Sequence, residues 1–191
     1  MFYELNKCEK NPLRVDIRFA SVYPNVYKTA MSSLGYQIIY GLVNEREDSY
    51  CERVVYPSVR SLETNSPLRD FDIISFTIQY EQDYFNVLEI LRKAEIPLRR
   101  KDRTGNDPLI IAGGPCATAN PLPLSDFIDV FVIGEAEVVL NDFLDLYLDL
   151  KNNGRFNMND LSPFLDIESL YISEFKNKAK IAIFYRFLPN F

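Results

Sequence analysis

Between Val15 and Leu150 short apolar runs alternate with amphipathic stripes, and this alternation restricts the fold more than any other feature. Val15 to Val22 carries Ile17, Phe19 and Val22 and stops at the turn residues Tyr23-Pro24-Asn25, so a first strand is expected there. Leu34, Ile38, Ile39, Leu42 and Val43 recur at three and four residues, which predicts a helix capped by Ser32 or Ser33. Val26 to Met31 then reads as a loop, and Arg53 to Tyr56 as a short second strand. Asp72 to Ile78 does not alternate strictly, as expected of a strand buried on both faces. A helix over Tyr84 to Ala94 ends before Pro97, and Leu109 to Ala112 gives a fourth strand broken by Gly113-Gly114-Pro115. A proline-rich loop through Pro121 and Pro123 leads to a fifth strand, Asp129 to Ile133, and a helix from Ala136 to Leu150.

Strand–helix alternation with short connections implies right-handed crossovers and an α/β fold with a parallel sheet. A flavodoxin-like five-stranded order, 2-1-3-4-5, suits it. Residues 1–155 form the expected domain, and 156–191 read as a linker and β-hairpin extension. The arms of that hairpin are Leu170 to Phe175 and Ala179 to Phe187. Phe184, Tyr185, Phe187, Leu188 and Phe191 crowd the end of the chain, a density that suits either a partner surface or packing back onto the domain.

With 191 residues, 47% of them hydrophobic, the chain can bury one sizeable core. Its longest apolar runs fall far short of the roughly 20 residues that cross a bilayer, and no secretory pattern is visible near Met1, so a cytoplasmic protein is expected. Cys8, Cys51 and Cys116 lie far apart, form no metal-binding or iron–sulfur spacing, and read as lone buried thiols. Histidine is absent, which removes the commonest general base near neutral pH. A net charge of -6 argues against nucleic acid as a partner. Arg92, Lys93, Arg99, Arg100, Lys101 and Arg103 are the local exception and read as a solvated helix end and loop, with an RNA or partner contact as the alternative.

Ligands of open α/β sheets bind beyond the carboxyl ends of the strands. The candidates there are Tyr27 and Ser32 after strand one, Thr77, Gln79 and Tyr80 after strand three, Gly113, Gly114 and Pro115 after strand four, and Gly134 and Glu135 after strand five. No phosphate-loop or dinucleotide fingerprint is present, and Glu135 and Glu137 place negative charge where an anion would otherwise sit. A receiver domain's phospho-accepting aspartate is missing from the third strand end.

Several segments taken together carry a resemblance. They are YKTAMSSLG at Tyr27–Gly35, Asn44-Glu45-Arg46, Pro67-Leu68-Arg69-Asp70-Phe71-Asp72, Gln79-Tyr80-Glu81, Ile111–Cys116, Asp126-Phe127-Ile128-Asp129 and Gly134-Glu135-Ala136-Glu137. From Tyr23 to Leu150 the chain resembles the cobalamin-binding-like N-terminal domain of radical S-adenosylmethionine (radical SAM) proteins. The resemblance implies an accessory domain, itself non-catalytic, that shapes or covers the substrate side of a radical SAM barrel present in cis or as a separate subunit. It implies that Gly113, Gly114, Pro115, Gly134 and Glu135 flank a cofactor pocket, with Tyr27, Ser32, Thr77, Gln79 and Tyr80 as a substrate or partner surface. The cobalt-ligating DxHxxG motif cannot exist without histidine, so cobalamin is compatible only in a His-off form. The CxxxCxxC motif is also missing, which puts any [4Fe-4S] cluster and S-adenosylmethionine on another domain. A stand-alone cobalamin module and a flavodoxin-like flavin carrier are the rival readings. The flavin carrier lacks a Ser/Thr-rich phosphate loop after strand one.

Overall fold

A computed structural model describes residues 7–183. The elements in order are β1 (Ile17–Tyr23), α1 (Tyr27–Met31), α2 (Leu34–Glu45), β2 (Ser49–Val55), β3 (Ile73–Thr77), α3 (Tyr84–Lys93), β4 (Leu109–Gly113), α4 (Pro115–Ala119), β5 (Val130–Val132), α5 (Ala136–Asn152) and β6 (Leu170–Tyr171). They form an α/β fold with one sheet of order β2-β1-β3-β4-β5-β6. The first five strands are parallel, and β6 is antiparallel to β5. The expected order of the first five is therefore present, and the sheet gains a sixth member.

Period-two alternation assigns the two faces. Ile17, Phe19, Ile73, Leu109, Ile111, Val130 and Val132 meet α2 and α5 on one face. Ala20, Val22, Ile74, Phe76, Ile110, Ala112 and Phe131 meet α3 and α4 on the other. The segment after α5 adds Met158, Leu161, Phe164, Leu170 and Ile172 to the first of these clusters, with the Phe143 and Phe164 rings 5.1 Å apart.

Several expectations need correction. The loop expected at Val26–Met31 contains α1, which buries Ala30 against Tyr23 and Tyr36; five residues are too few to show an apolar period. The second strand is longer than Arg53–Tyr56 and all seven of its residues are buried. Its charged members hid it. Glu52 accepts from Ser61 (2.6 Å) and Thr64 (2.5 Å) and pairs with Arg18, while the Arg53 guanidinium meets Glu63 at 2.7 Å. These bonds wrap the segment from Ser58 to Pro67 along the outer edge of β2, where Leu62 N–H donates to the Arg53 carbonyl. Within the proline-rich loop, Pro115 begins α4, its fixed φ already suited to a first helical position.

Among the described residues the two expected arms of the hairpin do not pair with each other. Leu170–Tyr171 pairs with β5 instead of with its expected second arm. Asn177 takes the place of a ladder, donating to the Leu170 carbonyl (2.7 Å) and accepting from Ile172 N–H (2.9 Å). The described part of the second arm, residues 179–183, runs beside the end of β5: Ala182 N–H donates to Ile133 O, Glu135 N–H donates to Ala182 O, and Ala182 bridges Gly134 in the parallel sense. The open edge of β5 captures both arms because each finds unpaired backbone groups there. Residues 184–191, including the aromatic cluster, lie outside the described residues.

The basic stretch is not uniformly solvated. Arg103 is fully buried, donating to Asp129 Oδ1 (2.9 Å) and to the carbonyls of Phe127, Pro97 and Leu98. Arg100 pairs with Glu174 at 2.5 Å. Guanidinium geometry allows Arg103 to satisfy several loop carbonyls at once, a use that charge spacing does not reveal. Cys51 and Cys116 are buried as expected, whereas Cys8 is half-buried; all three are free thiols. Among the described residues no helix is long and apolar enough to cross a membrane.

Candidate functional site

At the carboxyl ends of β3, β4 and β5 the sheet opens into a cavity of about 500 Å³. Gly35 and Ile39 of α2 and Ala136 and Leu140 of α5 roof it, and Ile111 and Val132 form apolar floor. Polar floor comes from β3. Ser75 and Thr77 are two apart, so they point to the same face, and Gln79 continues the row just beyond the strand. All three are half-buried, directly above Ile73, which is core. A row of hydroxyl and amide groups in a central strand, beside the apolar Ile111 and Val132, is a poor core and a good hydrogen-bonding wall.

The glycines act through the backbone. Gly114 has φ 100° and a Cβ there would stand 2.7 Å from Ile78 O. Gly134 also has φ 100°, and a Cβ would stand 2.6 Å from Ala182 N and closer still to its carbonyl oxygen. Close approach of two chain segments thus accounts for both residues. The nearby amides are already engaged: Gly134 N–H donates to Thr118 Oγ1 (2.9 Å), Glu135 N–H to Ala182 O and Cys116 N–H to Ile78 O. With those donors used and Glu135 and Glu137 at the wall, the cavity suits a neutral ligand better than an anion.

Of the sequence candidates, Thr77, Gln79, Gly113, Gly114, Pro115, Gly134 and Glu135 line this cavity. Tyr27, Ser32 and Tyr80 do not. Tyr27 packs with Tyr23, Ala30 and Tyr36, and the Ser32 hydroxyl donates to the Lys28 and Thr29 carbonyls at the end of α1. Tyr80 is exposed on the loop after β3. Sequence reasoning missed Ser75, Thr118, Ile39 and Leu140. Only Ser75 left a signal, the polar row at every second position from Ser75 to Gln79.

The strand order reverses between β1 and β3, where an open α/β sheet usually presents its crevice. Here that crevice is stitched shut. Asn25 Nδ2 donates to Asp83 Oδ1 (2.8 Å), Asn86 Nδ2 to Pro24 O (2.9 Å) and Gln79 Nε2 to Ser33 Oγ (3.0 Å). The last bond ties the polar wall of the cavity to the N-terminus of α2.

Beneath the stitches, the Tyr23 hydroxyl and Asp83 Oδ2 are buried and make no hydrogen bond among the described residues. Burial pushes the Asp83 carboxyl above its ordinary range, and the Asn25 bond only partly opposes it. A carboxyl whose folded pKa is raised contributes stability that is complete below its unfolded value and lost as pH rises through the folded one. Asp83→Asn keeps the bond from Asn25 and removes the ionisation. It is therefore expected to raise the urea midpoint at pH 7 relative to the parent chain, with a smaller difference in mild acid. An equal difference at both pH values would remove Asp83 as the cause.

With this geometry in place, likeness to known proteins becomes informative. Residues 35–173 match the family described as radical SAM proteins, N-terminal. The chain belongs to that family. The matched span runs from the first turn of α2 to just beyond β6, and so takes in the whole cavity. Over 120 residues the domain is also 34% identical to the uncharacterized protein MJ0966 of Methanocaldococcus jannaschii, a match covering 62% of this chain and 24% of that relative. The matched part of this radical SAM N-terminal domain thus spans about a quarter of that protein's length. No solved structure gives a significant match.

Proposed function

We propose that the chain is a non-catalytic accessory domain whose cavity forms or covers the substrate side of a radical SAM barrel, joined in cis or as a separate subunit. The observation that carries the reading is the position of the cavity. It opens at the carboxyl ends of β3–β5 and lies within the segment shared with radical SAM N-terminal domains. Its wall of Ser75, Thr77 and Gln79 can orient a neutral substrate by hydrogen bonds, and the apolar roof can keep water from it. The chain contains neither a histidine nor a CxxxCxxC motif, so the [4Fe-4S] cluster and S-adenosylmethionine belong to the barrel in this reading.

A second reading, a corrinoid held His-off, is favoured by the same polar row, which suits a neutral ring system lying under Ile39 and Leu140. Gly113, Gly114, Pro115 and Gly134 would flank that group, and the cobalt would have no histidine ligand from this chain.

One experiment separates the two. The purified chain, reduced and supplied with S-adenosylmethionine, is expected to leave it uncleaved until the radical SAM portion is added; cleavage by the chain alone sinks the accessory reading. A parallel sample is incubated with cobalamin and desalted. Retained corrinoid absorbance establishes the second reading, and a colourless protein eliminates it.

A further inference from the structure

Seven of the ten large apolar side chains exposed among the described residues lie at one end of the molecule. Val26 and Leu34 follow β1, Tyr80 and Phe85 follow β3, and Val138 is in the first turn of α5. Ile181 and Ile183 flank Ala182, the residue bridged to Gly134 beyond β5. Because the five strands are parallel, these positions share the rim that holds the mouth of the cavity. Leu13 and Phe175 sit elsewhere, before β1 and in the turn after β6, and Leu122 follows α4. Single exposed apolar residues are ordinary, but their concentration on one rim marks a contact surface.

The path of the chain identifies what covers it. At Ala182 the backbone runs parallel to β5, toward the carboxyl edge at which the cavity opens. The family is the N-terminal part of radical SAM proteins, and the relative extends well beyond its matched quarter. We infer that this rim is the docking surface of the radical SAM portion, which seals the cavity mouth by resting on Leu34, Tyr80, Phe85 and Ile183. The inference depends on the accessory-domain reading. Glu81, Glu135 and Glu137 stand among these apolar groups, so the facing surface is apolar with basic residues.

Carbene footprinting of the isolated chain and of the chain together with its radical SAM portion tests this. Leu34, Tyr80 and Phe85 are expected to be labelled in the isolated chain and to lose that labelling in the assembly, while Leu13 and Phe175 stay unchanged. Leu34→Glu and Phe85→Glu, both exposed positions that a folded chain tolerates, are each expected to weaken association about tenfold, with Leu13→Glu without effect. Rim labelling that is equal in both samples overturns the proposal, as does a dimer of the isolated chain that already protects the rim. An assembly that fails to cleave S-adenosylmethionine counts instead against the accessory reading, whatever the footprint.

Discussion

Asp129→Ala is expected to lower the unfolding free energy by about 4 kcal/mol, because removing one partner of a buried ion pair leaves the other charge uncompensated. Both side chains of the Arg103–Asp129 pair are fully buried. The carboxylate has a second task, accepting Ile110 N–H at 2.7 Å, so its loss also orphans a backbone donor in β4. For a domain of this size the change corresponds to a fall in melting temperature of roughly 10 °C. Arg103→Met combined with Asp129→Leu is expected to recover much of the loss, since an apolar pair of similar volume removes the stranded charge. Calorimetry of the single and double variants decides the matter. A double variant no more stable than Asp129→Ala would show that Arg103 acts mainly through its bonds to the Pro97, Leu98 and Phe127 carbonyls.

Gly134→Ala is expected to cost about 3 kcal/mol, from an unfavourable backbone conformation together with loss of the bonds around Ala182. The new methyl group has only two ways out: the φ of 100° must change, or the segment from Ala179 to Ile183 must leave β5. Either outcome breaks the donation from Glu135 N–H to Ala182 O. Limited proteolysis should then cut near Lys178 and Lys180 much faster than in the parent chain, together with a lower denaturant midpoint. Gly35→Ala is the contrasting change. Nothing lies within 4 Å of its added carbon, and it replaces a glycine inside α2, so a gain of roughly 0.5–1 kcal/mol is expected. Comparable stability in the two variants would mean that the close approach at Gly134 does not exist in solution.

The contrast between these glycines shows what a sequence can and cannot disclose. Gly113-Gly114 and Gly134 could be placed at strand ends from the alternation alone, and they do border the cavity. The reason that Gly114 and Gly134 are glycine lies in Ile78 and Ala182, segments remote from the turn each one makes. Strands β1, β3, β4 and β5 were legible because burial on both faces demands nearly continuous apolar residues. Strand β2 was legible only from Arg53 onward, since Glu52 before it is compensated by a loop whose folding is itself a tertiary event. The cavity was only half legible. A strand-end rule finds Thr77 and Gln79, whereas Ile39 and Leu140 enter through the packing of α2 and α5 and look like any other core residue. The polar row beginning at Ser75 was visible, but its meaning depends on the space above it.

The wrapping of both sheet margins has a consequence for association with other chains. A free strand edge offers backbone groups to any extended peptide and can seed fibres. Here the Ser58–Pro67 segment lies along β2, and β6 with the Ala182 segment lies along β5. Among the described residues, lateral growth by strand addition is thereby hindered at both margins of the sheet.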